Sequence, residues 1–105
     1  MYARMMSSRL KHEMIDKSLA IWQDAIIPAV REQKGFLGVT LLIDRERDVG
    51  SSITFWDSLE ALEAAEASGF VAQQSARLSG CLTGPTERHV YEAPLSLAPS
   101  LAIDK

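Results

Sequence analysis

Apolar residues fall at Ile15, Leu19, Trp22, Ile26 and Val30, steps of three and four that lay one stripe along a helix. The spacing predicts a long helix over about Glu13–Lys34, kinked where Pro28 removes a backbone donor. Gly35 stands where a helix takes a left-handed residue to stop, and Phe36 is placed for the hydrophobic contact that accompanies such a stop. From there the period changes to two. Leu37, Val39, Leu41 and Ile43 alternate with Gly38, Thr40 and Leu42, which predicts a strand over Phe36–Asp44. After the charged tip Arg45–Asp48, a returning strand Gly50–Trp56 sets Ser52, Thr54 and Trp56 against Ile53 and Phe55. Two strands joined by a short polar tip are an antiparallel hairpin.

The same reading places a strand at Tyr2–Arg9, with apolar groups on both faces. Asp57-Ser58-Leu59-Glu60 matches a helix start, with an acid or hydroxyl cap and Glu60 reaching back. The helix over Ser58–Ala67 is alanine-rich; Ser68-Gly69 interrupts it, and a second piece runs over Phe70–Ser79 to Gly80. Gly84-Pro85 marks a turn before a last strand, Thr86–Glu92. The order β-α-β-β-α-β predicts an α+β, ferredoxin-like domain over residues 1–92: a four-stranded antiparallel sheet with both helices on one face. The other face would lie bare, and Tyr2, Met6, Leu42 and Trp56 are too apolar for water, so a homodimer through the open sheet face is expected. The tail 93–105 carries Leu95, Leu97, Leu101 and Ile103 and is expected to pack on the domain or on a partner subunit.

With 105 residues, 47% of them hydrophobic and 24% charged, the chain has the composition of one ordinary domain. A domain of this size buries roughly two-thirds of its unfolded surface, and association is the natural route to a larger enclosed volume. A net charge of -3 with scattered basic residues argues against a nucleic-acid partner. Cys81 is the only cysteine, which excludes an intramolecular disulfide and fits a reducing compartment; it has no base nearby in sequence and reads as structural. No stretch approaches the about 18 apolar residues of a membrane span, and no signal-peptide core is evident, so a cytoplasmic location is expected. His12 and His89 lie far apart with no partner at helical spacing, and no metal or cofactor site is expected.

The series Ile27-Pro28-Ala29, five residues, Gly35-Phe36-Leu37-Gly38, then a strand ending Phe55-Trp56-Asp57-Ser58-Leu59-Glu60-Ala61-Leu62, resembles the antibiotic biosynthesis monooxygenase family of dimeric α+β barrel proteins. The likeness runs from Tyr2 to Glu92. It implies a homodimer whose two sheets pack into a barrel. It also implies oxidation of electron-rich aromatics, such as anthrones and hydroquinones, by molecular oxygen without flavin or metal. A phenolate or enolate in a dry pocket passes an electron to oxygen itself, so the protein binds, deprotonates and excludes water. The haem-degrading branch of that family uses an Asn on the first strand and a Trp and a His on the second helical region. Here those neighbourhoods hold Ser7 and Ser8, Ala65, and Gln73 with Gln74, which argues against haem degradation. Many small relatives carry a His in the second helix; Leu59–Leu78 contains none.

Within that frame His89 is the candidate general base, because an imidazole titrates near neutrality, and Tyr91 is a candidate to orient a phenol. The competing reading of His89 is a strand histidine at a dimer surface. Trp56 is a candidate wall of an aromatic pocket, against plain core packing. Gln74 and Arg77 lie on the second helical piece, where Arg77 would stabilise a phenolate if it faces the ligand. Three functions follow: a cofactor-independent oxygenase, a non-enzymatic barrel binding a small apolar metabolite or serving a stress-related role, or an isomerase or decarboxylase on the same scaffold. A closed pocket with converging polar groups separates them from a solid interior.

Overall fold

A computed structural model describes residues 1–97 of the chain. Four strands, β1 (Tyr2–Arg9), β2 (Phe36–Asp44), β3 (Val49–Trp56) and β4 (Glu87–Glu92), form one sheet in the order β2-β3-β1-β4. Every pairing is antiparallel. The helices are α1 (Ile15–Ile21), α2 (Ile27–Val30), α3 (Leu59–Ala67) and α4 (Phe70–Ala76). This is the expected ferredoxin-like α+β arrangement. Among the described residues no helix is long and apolar enough to cross a membrane.

The predicted long helix is a composite. A 3-10 turn, His12–Met14, leads into α1, and a π-helical segment, Trp22–Ile26, joins α1 to α2. The Ile27 N–H donates to the Trp22 carbonyl, five residues back. Pro28 explains the wide turn, because its ring crowds the carbonyl four residues earlier and it has no N–H to give; one extra residue relieves both. The helix ends at Val30, short of the predicted Lys34, and a turn leads to Gly35 at φ +84°. Ser58 caps α3 by accepting from the Ala61 N–H at 3.1 Å. Glu60 is only the second residue of that helix, one short of the position from which a carboxylate reaches back.

Strand register decides which side chains share a face. Tyr2 pairs with Trp56, Arg4 with Thr54 and Met6 with Ser52; Thr54 and Ser52 pair in turn with Val39 and Leu41. These residues point toward the helices. Trp56, 1% exposed, packs with Val30, Leu62 and Ala65 into one core cluster, and Phe36 meets its ring edge-on at 5.7 Å. A second cluster, Leu10, Ile15 and Cys81, closes the far end, which makes Cys81 a packing residue. The open face carries Met5, Ile53, Phe55, Thr40, Leu42, His89 and Tyr91. Two expectations change here. Tyr2, Met6 and Trp56 belong to the helix side, so the apolar character of the open face rests on Met5, Ile53, Phe55 and Leu42. Leu37 is the extra residue of a bulge between Phe36 and Gly38 and is 56% exposed, out of line with Val39, Leu41 and Ile43. Leu95 and Leu97 extend into solvent in the single chain, while Leu101 and Ile103 lie outside the described residues.

Candidate functional site

Between the helices and the sheet lies a cavity of about 100 Å³. It exists because the sheet is floored there by small side chains: Ser8 on β1, and Gly50, Ser52 and Thr54 on β3. Helices resting on aromatic and aliphatic neighbours cannot collapse onto so low a floor. Trp22 and Ile26, the two ends of the π segment, form one wall; Phe70, Val71 and Gln74 of α4 form another; Trp56 closes one end. The lining is mostly apolar. A cavity of roughly 150 Å³ lined by aliphatic and aromatic groups holds a benzene ring, so this space suits one aromatic ring, with anything larger extending through the mouth. A larger depression of about 360 Å³ near Ser7–Arg9 and Thr83–Pro85 has neither aromatic walls nor a buried charge.

Among the described residues Arg4 is the one ionisable residue that lines the cavity, and it is 3% exposed. Its Nε donates to Glu66 Oε2 at 2.8 Å, and one Nη2 N–H donates to the Leu62 carbonyl at 2.9 Å. Its guanidinium carbon lies 5.8 Å from the Trp56 ring centroid, a cation–π distance. Burial pulls the Arg4 pKa below its ordinary value, partly countered by the charge and hydrogen bond of Glu66. Arginine stays charged under such a pull, so the cavity carries a fixed cation. Thr54 accepts from the Trp56 indole N–H at 3.0 Å, and the buried Ser18 donates to the Ile15 carbonyl at 2.6 Å.

The residues singled out from sequence fall into two groups. Trp56 and Gln74 line the cavity together. Arg77, the residue that ends α4 just past Ala76, is exposed, its Nε donating to Gln74 Oε1 at 2.9 Å, so it fixes the Gln74 amide without facing the cavity. His89 and Tyr91 lie on the open face, their rings stacked at 6.1 Å, and Tyr91 is 51% exposed. The sheet separates them from the cavity. Arg4 was missed because a lone arginine in a first strand reads as a solvated edge; its sequence signal was position, flanked by the apolar Ala3 and Met5 in a strand paired on both edges. Among the described residues no group of three or more His, Cys, Asp or Glu could hold a metal ion.

Residues 1–77 match the family model described as antibiotic biosynthesis monooxygenase. Over 63 residues, 60% of this chain, the sequence is 33% identical to the uncharacterised protein Rv2557 of Mycobacterium tuberculosis, and it spans 28% of that protein's length. A second uncharacterised protein of that organism, Rv2558, matches at the same identity and spans 27%. Among solved structures, a monooxygenase from the ActVA-Orf6 gene of Streptomyces coelicolor, in complex with nanaomycin D, aligns with a TM-score of 0.77 at 18% identity. That alignment covers 94% of this chain and 92% of the other. Rv0793 of Mycobacterium tuberculosis aligns with a TM-score of 0.70 at 21% identity, covering 93% and 98%. These structures share the fold, and the family match spans the sheet hairpin, the π-broken helix and α3–α4, the elements that build the cavity. The chain belongs to the antibiotic biosynthesis monooxygenase family.

Proposed function

We propose that this protein is a cofactor-independent monooxygenase that uses molecular oxygen to oxidise a small electron-rich aromatic of the quinol or anthrone kind. The observation that carries this reading is the apolar, aromatic-walled cavity with a single buried cation at its floor. Trp56 and Phe70 offer ring faces and edges to an aromatic ligand, and Gln74 offers an amide to a ring oxygen. Apolar walls exclude water, which strengthens the field of Arg4 and protects a reduced oxygen species from protonation. The ionised ring gives an electron to oxygen, and recombination at carbon followed by loss of water turns a CH2 between two rings into C=O. One oxygen atom enters the product and the other leaves as water, so no external reductant is needed. In this reading the protein is a homodimer through the open face, working in the cytoplasm. His89 and Tyr91 then belong to the interface side of the sheet, and acidification of the substrate falls to Arg4.

A second reading, a barrel that binds a small apolar metabolite without turnover, is supported by one feature: among the described residues no His, Asp or Glu lines the cavity to take a proton. Oxygen uptake on a panel of anthrones and hydroquinones tests both. The oxygenase reading expects uptake above the uncatalysed rate, a fall of about 10²-fold in Arg4→Met, and no change in His89→Ala. Uptake lost in His89→Ala and kept in Arg4→Met would move the chemistry to the open face. Ligand binding with no uptake on any compound would favour the second reading.

A further inference from the structure

The helical walls of the cavity are held unequally. The run from α1 through the π segment to α2 is pinned by Ile15, Ser18, Ile26 and Val30, and α3 by Leu62 and Ala65, all of them buried. α4 has no buried residue. Between Ala65 in α3 and Cys81 in the 3-10 turn Ser79–Cys81, no side chain is fully covered. Hydrogen bonds do not fasten this stretch to the sheet either. Among the described residues, those made by residues 69–80 stay within 66–82: the Gly69 N–H donates to the Glu66 carbonyl at 3.1 Å, the Phe70 N–H to Ser68 Oγ at 3.3 Å, and Arg77 Nε to Gln74. What holds α4 down is the apolar contact of Phe70 and Val71 with the cluster of Val30, Trp56, Leu62 and Ala65. The two ends of the stretch are free to turn. Gly69 caps α4 at φ +85°, and neither it nor Gly80 has an atom within 4 Å of a built Cβ. A segment with few buried apolar contacts and only local hydrogen bonds opens at a fraction of the cost of unfolding the domain.

We infer that α4 is the lid of the cavity: it swings outward about Gly69 and Gly80 to admit a ligand and closes over it, while the sheet, α3 and the π-broken helix stay in place. This rests on the cavity being the ligand site, as in the function proposed above, but not on turnover. Opening separates Phe70 and Val71 from the cluster and breaks no hydrogen bond to the sheet or to the π-broken helix. It also carries Gln74 and Leu78, which line the cavity, away from the floor. Around an empty cavity the inner sides of these residues lack packing partners, and a bound ring supplies them, so the ligand favours the closed form. Hinges of this kind lie at element ends, away from the chemistry, and set how fast a ligand enters and leaves.

Two measurements on the whole chain test this, and neither needs turnover. Amide hydrogen exchange of the unliganded protein should find residues 70–80 exchanging at least about 10²-fold faster than β1, β3 and α3, and slowed by bound fluorobenzene. Fluorine NMR exchange then gives the association and dissociation rates of fluorobenzene, a single ring that matches the cavity. Gly69→Ala strains the closed lid, whose left-handed twist it opposes, so both rates should rise together by about five- to thirtyfold. Gly80→Ala, which meets open space, stiffens the other pivot, so both rates should fall together by about two- to fivefold. In each variant Kd should stay within about twofold, because the closed form still predominates. Rates unmoved in both variants, a change confined to Kd, exchange at 70–80 as slow as in α3, or no fluorobenzene binding at millimolar concentration would each overturn the inference. Gated binding with no oxygen uptake on any substrate would leave the lid standing and remove the oxygenase reading. Oxygen uptake with both rates unmoved in the variants would do the opposite.

Discussion

Gly35 joins the π-broken helix to the sheet and also touches the start of α3, so replacing it perturbs two contacts whose costs can be separated. Its φ of +84° is unfavourable to any residue with a Cβ, at about 1–2 kcal/mol. A Cβ built there would lie 2.5 Å from Ala61 Cβ and 2.7 Å from Asp57 Oδ1. The Asp57 carboxylate can swing away, but Ala61 is fixed to the first turn of α3, and its backbone must move. The Gly35 carbonyl also accepts from the Asp57 N–H at 2.9 Å, so the two segments cannot part freely. Overpacking of this kind adds about 1–3 kcal/mol. Gly35→Ala is therefore expected to cost about 2–5 kcal/mol, a fall in Tm of roughly 10–30 °C for a domain of this size. Two other glycines serve as controls. Gly69 has the same backbone twist, φ +85°, with nothing within 4 Å of a built Cβ, so Gly69→Ala should cost only about 1–2 kcal/mol. Gly38 has open space around it, and Gly38→Ala should be neutral or up to about 1 kcal/mol stabilising. The assay is thermal and urea unfolding of the three variants at one protein concentration, because association would shift every midpoint. A Gly35→Ala variant no less stable than Gly69→Ala would show that the contact with Ala61 is not there.

Phe55→Glu places a charge on the open sheet face, on the side away from the cavity, and should convert a dimer to a monomer in sedimentation at micromolar concentration; a wild-type protein that is already monomeric would dismiss the partner argument. The His12 imidazole lies 2.6 Å from Asp48 Oδ1, and that hydrogen bond, then the carboxylate's charge, raises its pKa above the ordinary 6.5. A raised folded-state pKa gives stability that is complete below pH 6.5 and disappears as pH climbs through the folded value. An NMR titration should find the His12 midpoint above 6.5 and returned toward it in Asp48→Asn, which keeps a residue suited to the positive φ of 58°; an unmoved midpoint would show that the pair does not form in solution.

Local physics made much of this protein legible without coordinates. The hairpin, the left-handed Gly35, the Ser58 start and the Ser68-Gly69 break are each dictated by residues next to one another, so a period of two, a left-handed glycine or a capping hydroxyl announces them; the helix itself stops earlier, at Val30. The order of the elements then limits the topology to very few sheets, and the observed one is the simplest. What neighbours in sequence could not decide is which face of β3 points inward. Ser52 and Thr54 look like the wet side and Ile53 and Phe55 like the core, yet the register puts the hydroxyls under the helices and the apolar pair outside. The reason is that two surfaces compete for apolar cover, and Trp56, on the same side as the hydroxyls, is anchored by Val30, Leu62 and Ala65 from helices remote in sequence. That inversion creates the cavity, because small polar residues leave space where large apolar ones would have filled it. It also moves His89 and Tyr91 away from the cavity and brings Arg4, Glu66 and Arg88 together across 84 residues of chain. A buried charge is tolerable only beside partners that the fold delivers, and only the tertiary structure could supply them.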